Sequence, residues 1–231
     1  MRVAIVSDIH GNRTAFEAVL SDLRDAAPDL VLHGGDLADA GSGPVEIVDR
    51  IRALGWPGVY GNTDEMLFRP QSFGDFAAGL PQFETMWRKI AEMAEWTREK
   101  LGSERLEWLS QVPSGFSEGD VGLVHASPQS AWSVLKNDDG YRELNRPLVV
   151  FGHIHRPFVK RLEGYTLANS GSVGQPYDGD PRASYLLVDN GTPTIRRVEY
   201  DIERETARLK DCGIPHAEWI ATILRNAQAI P

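Results

Sequence analysis

The chain has 231 residues, of which 33 are acidic and 24 are basic, giving a net charge of −9. A protein whose main role is to bind nucleic acid or an anionic membrane is normally basic, so this balance argues against both roles unless a cation intervenes. The single cysteine, Cys212, excludes an intrachain disulfide and a thiolate zinc cage. It predicts a reducing, cytoplasmic compartment, and the lack of a long apolar run predicts no membrane span.

Short apolar runs alternate with helical patterns in the first part of the chain. The runs at 2–7, 29–35 and 58–62 predict strands. The spacing of apolar residues predicts helices over 12–26 and 44–54. Alternation of this kind predicts parallel strands with helices on the faces of the sheet.

The segment from residue 65 to about 112 has a different, helical pattern, with aromatic and Met residues at helical spacing. It predicts a helical insertion, which either packs as ordinary helices or forms a cap that shapes access to a cleft. No stretch rich in Pro, Gly or Ser separates the insertion from the second half of the chain. We therefore expect a single domain over residues 1–231.

The second half of the chain is rich in predicted strands. Apolar runs predict buried strands at 120–126 and 147–153. Two hairpins are predicted at 158–169 and 183–201, because each contains a turn sequence between two strand-like runs. Helices are predicted at the C-terminus, over about 202–229.

Polar side chains follow five of the apolar runs, at the point where each run ends. Because ligands of open α/β sheets bind beyond the carboxyl ends of the strands, we expect these side chains to converge. The set comprises Asp8, His10, Asp36, Asn62, His125, His153 and His155.

Two carboxylates, one amide oxygen and four imidazoles suit divalent transition metals better than an acid–base dyad or a serine triad. Seven groups exceed the need of one ion, so two ions that share a carboxylate are the favoured interpretation. In 8–10 and 153–155 the outer residues are expected on one side of an extended segment, with an Ile between them turned to the core. A lone histidine would more often be an ordinary core or surface residue, but a buried cluster would be costly without a metal.

Glycines border these positions, either because the backbone approaches an ion closely or because they only form turns. They are Gly11, Gly34, Gly35, Gly61 and Gly152.

The short motifs "DIH", "GGD", "GNTD", "VHA" and "GHIH" occur in this order between residues 8 and 155. Together they resemble the calcineurin-like metallophosphoesterase superfamily, and "NSGSVGQP" at 169–176 is similar to its small bacterial phosphodiesterases. The resemblance implies an α/β fold, a two-sheet sandwich with flanking helices and a metal centre at one edge.

The resemblance also implies the composition of that centre. One ion would be held by Asp8, His10, Asp36 and His155. A second would be held by Asp36, Asn62, His125 and His153, so that Asp36 bridges the two. Two divalent transition-metal ions, chosen from Mn, Fe, Zn, Co or Ni, are implied, with a water or hydroxide between them as the nucleophile.

One position departs from the family pattern. The family often has a His after the Gly-Asn pair, which protonates the leaving group, whereas this chain has Thr63. Since a general acid typically contributes a factor of about 10²–10⁴, substrates whose leaving group departs unaided are expected. His33 is a candidate replacement, or a packing residue at a strand end.

Other residues are weaker candidates for the reaction. Asn62 and Asp64 are candidate catalytic residues, and Asn62 is also a candidate substrate contact. Asn169, Ser172 and Arg182 are candidate substrate contacts, or residues that only shape a turn or a solvated loop.

The favoured function is metal-dependent hydrolysis of a small phosphoester, as a phosphodiesterase or a phosphatase. The alternative is a non-catalytic protein-interaction scaffold, since a retromer coat subunit resembles this fold. A nuclease ranks lower, because no basic stripe accompanies the motifs and nucleic acid is an unlikely partner. A homo-oligomer is possible.

Overall fold

Two β-sheets and their flanking helices make up the computed structural model, which describes residues 1–230. The strands are β1 Arg2–Val6, β2 Leu30–His33, β3 Gly115–Glu118, β4 Val121–Val124, β5 Leu148–Phe151, β6 Phe158–Leu162, β7 Tyr165–Asn169, β8 Ala183–Asp189 and β9 Thr192–Val198. The helices are α1 Arg13–Ala26, α2 Pro44–Leu54, α3 Asn62–Phe68, α4 Pro70–Ala78, α5 Glu84–Gln111, α6 Ile202–Cys212 and α7 Ala217–Asn226.

The first sheet has the strand order β2-β1-β8-β9, and the second has the order β3-β4-β5-β7-β6. In the first sheet β1 pairs parallel with β2 and antiparallel with β8. In the second sheet β4, β5 and β7 run parallel, and antiparallel strands close both edges. The parallel strands of each sheet therefore send their following loops to one edge.

The main core lies between the two sheets. Val3, Ile5 and Leu32 of the first sheet pack against Leu123 and Val150 of the second, and all five are buried. Val3 and Ile5 are two positions apart on β1 and therefore lie on the same face of the sheet. The two sheets thus form a sandwich, which confirms the predicted fold class.

Helices cover the outer face of the first sheet. In α1, Asn12 caps the first turn by accepting a hydrogen bond from Ala15 N at 2.9 Å. The helix then buries Phe16, Val19 and Leu23 against the sheet. A separate cluster covers the outer face of the second sheet, where a 3₁₀ helix contributes Tyr141.

One local prediction was wrong, and one strand was missed. Residues 58–62 form no strand: Gly58 makes one isolated bridge to His33, and α3 already begins at Asn62. Strand β3 was not predicted, because it is an exposed edge strand with Phe116 as its one large apolar residue. Edge strands of this kind carry no strong apolar pattern.

The helical segment predicted at 65–112 consists of α3, α4 and α5, and it starts at Asn62. Helix α5 is interrupted at Gly102, whose φ of 68° and ψ of 172° are not helical. Within the described residues, none of the helices combines the length and hydropathy that a bilayer crossing needs.

Candidate metal centre

The loops that follow β1, β2, β4 and β5 meet at one edge of the sandwich. His10 N donates to Asp36 O at 2.9 Å, which joins the loops after β1 and β2. Gly152 N donates to His125 O at 2.9 Å, which joins the loops after β4 and β5. His153 N donates to Asp8 Oδ1 at 3.0 Å and so connects the two sheets. The predicted donors therefore come from both sheets rather than from neighbouring strands of one.

Several donors lie on backbone of left-handed conformation. The φ angles are 55° at Asp8, 48° at His10, 54° at Asp36, 66° at His153 and 55° at His155. The prediction of extended segments at 8–10 and 153–155 was therefore wrong. A left-handed non-glycine residue costs about 1–3 kcal/mol, and such residues cluster at functional sites.

A first donor group consists of Asp8, His10, Asp36 and His155, which are all buried. One ligand atom from each lies within 4.8 Å of the others, a spacing that fits a single metal ion. The two imidazoles face each other with 3.1 Å between their Nε2 atoms. His155 Nε2 is 3.2 Å from Asp8 Oδ1, and His10 Nε2 is 3.5 Å from Asp36 Oδ2.

A second donor group adjoins the first through Asp36. His125 Nε2 lies 3.3 Å from Asp36 Oδ2 and 3.0 Å from Asn62 Oδ1. His153 Nδ1 lies 2.8 Å from the same Asn62 oxygen. Asn62 and His153 are half-buried, whereas His125 is buried, so the centre opens to solvent on the side of Asn62.

Backbone carbonyls fix the protonation of three rings. Nδ1 lies 3.2 Å from Asp39 O in His10, 2.8 Å from Gly34 O in His125 and 2.6 Å from Gln175 O in His155. Because a carbonyl only accepts, each Nδ1 carries a proton. Nε2 of neutral His10 then has a lone pair that faces His155 Nε2, and a cation between the two nitrogens would bind it. In metal-bound histidines, the ring nitrogen that does not bind the metal typically donates to a carbonyl, a carboxylate or a water.

The charges of the centre suit a cation as well. Burial works to raise the pKa of Asp36, but the nearby His125 and His10 hold it far below its usual range. Burial alone would lower the pKa of His125, yet the facing Asp36 raises it to about 10. Burial lowers the pKa of His10 and of His153 to about 4. His10 and His153 are thus neutral near pH 7, the state in which an imidazole binds a divalent metal, whereas His125 carries a proton that metal binding would release.

Two of the predicted glycines allow the close approach of loops at this edge. A Cβ on Gly61 would lie 2.0 Å from Asp36 Oδ1, and one on Gly152 would lie 2.4 Å from Asp8 Oδ2. Either side chain would displace a carboxylate of the first donor group.

Asp64 lies below the centre and binds backbone. Its carboxylate accepts from Asp36 N at 2.7 Å, Leu37 N at 2.9 Å and Gly61 N at 3.0 Å. These contacts favour a role in shaping the loop that carries Asp36. Thr63 N donates to Asp36 Oδ1 at 2.8 Å, whereas its buried Oγ1 has no hydrogen-bond partner.

His33 is buried away from the donor groups. Its ring lies 6.5 Å from the ring of Trp108 and against Gly58, where a Cβ would come within 2.5 Å of it. Burial lowers the pKa of His33 to about 4, so the ring is neutral near pH 7 and lacks the acidic proton of an imidazolium. These contacts favour its interpretation as a packing residue.

Two of the candidate substrate contacts, one at the end of β7 and one just after it, are also bound to backbone. Asn169 Nδ2 donates to Gly152 O at 2.6 Å, and Ser172 Oγ donates to Asp8 O at 2.7 Å. Both residues are fully buried and thus support the loops that carry His153 and Asp8. Arg182 is exposed and pairs with Asp180 at 2.7 Å.

Sequence reasoning missed several residues around the centre. Ser7 Oγ donates to Asp8 Oδ2 at 2.5 Å. The ring of Tyr177 stacks on His155 with 4.2 Å between centroids. Thr97 of α5 donates to Asp39 Oδ1 at 2.9 Å, and thus supports the residue that binds the His10 ring. Of these three contacts, only the one between Ser7 and Asp8 could have been inferred from the sequence, because the two residues are adjacent in the chain.

A family model matches this architecture. Residues 1–192 match the calcineurin-like phosphoesterase superfamily domain. The chain belongs to that superfamily. The match contains all the loops that carry the donor groups, whereas α6 and α7 follow it along the chain.

Individual relatives agree with this assignment. An uncharacterized protein of Methanocaldococcus jannaschii is 31% identical over 94% of this chain and 95% of its own length. A probable metallophosphoesterase of Methanothermobacter thermautotrophicus is 25% identical over 82% of this chain and 87% of its own. The crystal structure of a metallophosphoesterase from Sphaerobacter thermophilus has a TM-score of 0.82 and 30% identity, covering 98% of this chain and 100% of that one. This calcineurin-like phosphoesterase is therefore an enzyme of the hydrolase class.

Proposed function

We propose that this phosphoesterase hydrolyses small phosphoesters with two divalent transition-metal ions bound at the edge of the sandwich. The observation that carries the proposal is the convergence of two donor groups on Asp36, within 3.5 Å of His10 and 3.3 Å of His125. Asp8, His10, Asp36 and His155 would hold one ion. Asp36, Asn62, His125 and His153 would hold the other.

Such ions, when bound, would lower the pKa of a water molecule and stabilise the charge on the phosphoryl oxygens. The residues of the chain hold the site in place for this chemistry. Ser7 and the peptide N–H of His153 both donate to the Asp8 carboxylate, which fixes its orientation. Carbonyls of residues 39, 34 and 175 orient the rings of His10, His125 and His155.

Asn62 is proposed to lie where the substrate enters. Its half-buried side chain presents one oxygen to both His125 and His153, so its amide nitrogen remains for a phosphoryl oxygen. Thr63 follows it and has no group that donates a proton near neutral pH. We therefore propose esters with good leaving groups, such as aryl phosphoesters, as the substrates that react fastest.

The test uses the full chain, freed of metal with a chelator and dialysed. Hydrolysis of bis(p-nitrophenyl) phosphate and of p-nitrophenyl phosphate is then followed with Mn²⁺, and with Fe²⁺, Co²⁺, Ni²⁺ or Zn²⁺ in parallel. We expect turnover of at least one ester that depends on added metal. The ratio of the two rates decides between a diesterase and a monoesterase.

The same assay on an Asp36→Asn variant should show little turnover. Asp211→Asn is its matched control, because Asp211 is an exposed carboxylate far along the chain. Absence of turnover with every metal, from protein that unfolds cooperatively, would favour the scaffold. Turnover of single-stranded DNA well above that of the aryl esters would instead favour the nuclease.

A further inference from the structure

An open cavity of about 510 Å³ lies between the start of the helical insertion and the segment that follows the loop of His125. This volume falls in the range of about 300–1,000 Å³ that is typical of small-molecule sites. Its lining includes Glu65, Arg69, Phe76, Ser130 and Trp132. None of the residues predicted from the sequence to contact substrate lines it.

The two segments that form the walls of this cavity each follow a proposed metal ligand along the chain. One wall is α3 with the start of α4, and α3 begins at Asn62. The other wall is the segment 130–133, which follows His125 along the chain. Asn62 and His125 are in contact at 3.0 Å, so the two segments start from adjoining side chains of the centre.

The helix geometry sets the reach of the cavity. Glu65 lies one turn after Asn62 on α3, and Arg69 caps the end of the helix, where its N–H donates to Glu65 O at 2.7 Å. With a rise of 1.5 Å per residue, Glu65 lies roughly 5 Å and Arg69 roughly 10 Å along the axis from Asn62. An organic group attached to a phosphoryl group at the ions would extend along this helix.

An aromatic platform forms part of the wall. The indole N–H of Trp132 donates to Glu65 Oε2 at 2.6 Å, which fixes the ring on α3. Phe76 and Phe73 lie beside the ring, at centroid distances of 5.0 Å and 6.2 Å. A half-buried indole that is fixed in this way stacks well on a planar ring, regardless of which polar groups that ring carries.

The charges of the cavity exclude a second anionic group. Arg69 is its one cation and is already paired with Glu65, and Asp75 adds a further carboxylate. The remaining polar groups are neutral: the amide of Gln71 and the hydroxyls of serines such as Ser133. Such groups donate to and accept from hydroxyl or amide edges.

From these features we propose that the cavity binds an uncharged, ring-containing organic arm of the substrate, of about nucleoside size, with Trp132 as the residue on which the ring stacks. This inference rests on the proposed hydrolysis at the metal centre. It specifies the chemical class of the second organic group of the ester, the one that is not the leaving group.

The test compares two esters with the same leaving group: the p-nitrophenyl ester of thymidine 5′-monophosphate and methyl p-nitrophenyl phosphate. The metal-loaded full chain is used for both, and the ratio of their kcat/KM values is the readout. We expect a ratio in favour of the thymidine ester of at least about tenfold, the effect of stacking one ring. Trp132→Ala is expected to bring the ratio close to one, mainly through KM.

Two further variants make the result specific. Trp132→Phe keeps an aromatic ring but loses the hydrogen bond to Glu65, so an intermediate ratio is expected. This variant replaces Trp132→Ala in the test if Trp132→Ala does not fold. Val134→Ala alters an exposed side chain in the same loop, outside the cavity, and is expected to keep the wild-type ratio.

The outcomes separate this inference from the proposed function. No metal-dependent turnover of these two diesters or of p-nitrophenyl phosphate would overturn the proposed function, whereas turnover of the monoester alone would overturn only the role of the cavity. Turnover of both with a ratio near one in the wild type would overturn only the role of the cavity. A high ratio that Trp132→Ala and Trp132→Phe leave unchanged would also overturn it.

Discussion

At the scale of single residues, Asp36 contacts both donor groups through one carboxylate. Its Oδ2 faces His10 and His125, and its Oδ1 accepts from Thr63 N at 2.8 Å. Loss of its charge would therefore weaken both proposed ion sites together, whereas loss of any other donor would weaken one.

We predict that Asp36→Asn lowers kcat by more than about 100-fold, because metal-ion catalysis supplies several kcal/mol and each 1.36 kcal/mol is a factor of ten. Metal content, measured by mass spectrometry after loading with Mn²⁺, should fall in parallel. The Asp211→Asn control should keep both values. Full activity with two bound ions in Asp36→Asn would contradict the bridging role.

A second prediction concerns Thr63. Without a proton donor at this position, the rate should fall steeply as the pKa of the leaving group rises, because the charge on the departing oxygen is not neutralised. A series of substituted aryl esters measures this slope. Thr63→His is expected to flatten it, with the largest gain for the poorest leaving groups.

A shallow slope in the wild type would contradict this prediction, since it would reveal a proton donor elsewhere. Thr63→Val is the control: it removes the unpaired hydroxyl, adds no titratable group, and should leave the slope unchanged.

At the scale of secondary-structure elements, α5 supports the centre from the helical insertion. Its buried Thr97 donates to Asp39 Oδ1 at 2.9 Å, and the carbonyl of Asp39 lies 3.2 Å from His10 Nδ1. A side chain of the insertion is thus two hydrogen bonds away from a proposed ligand. The insertion is therefore connected to the centre by hydrogen bonds, in addition to lining the cavity with residues of α3 and α4.

We predict that Thr97→Val weakens Mn²⁺ binding about tenfold, the lower end of the 10–100-fold loss seen for partners of metal ligands. It should also cost about 1–3 kcal/mol of unfolding free energy, because the buried Asp39 loses a donor. Metal titration and urea unfolding measure the two effects. Thr222→Val, an exposed change on α7, is the control. Destabilisation with unaltered Mn²⁺ affinity would limit α5 to a packing role.

At the scale of the whole molecule, the C-terminal helices bind back onto the part of the chain that carries the first donors. Glu205 of α6 is fully buried. It accepts from Thr14 N at 3.0 Å and from Thr14 Oγ1 at 2.6 Å, at the start of α1. Its other oxygen is 3.4 Å from Ser42 N. The helices after residue 192 thus hold the start of α1, which follows the loop of His10.

We predict that Glu205→Gln lowers the free energy of unfolding by about 2 kcal/mol, because an amide replaces one of two acceptors that face buried donors. The control is Glu203→Gln on the same helix, where an exposed pair with Arg225 should contribute at most about 1 kcal/mol. Urea unfolding measures the loss of free energy in both variants, provided that the m values are unchanged. Equal losses in the two variants would contradict the role of Glu205.

Most elements could be predicted because their patterns are local. The apolar run of β5 and the periodicity of α1 each lie within a few residues. Failures occurred where the pattern was weak or where tertiary contacts decided: residues 58–62 look like a strand but only bridge His33. The contacts between Thr97 and Asp39, and between Trp132 and Glu65, join positions 58 and 67 residues apart, and no local signal predicts them.

The amino-acid sequence by itself determined which residues could act as ligands, since side-chain chemistry and the position after a strand are properties of short segments. It did not determine that Asp8 and His10 follow one sheet while His153 and His155 follow the other. Only the packing of the two sheets, with left-handed backbone at Asp36 and its neighbours, decided which donors face each other. The physical reason is that a distance of about 3 Å between side chains from distant segments depends on the whole core that aligns them.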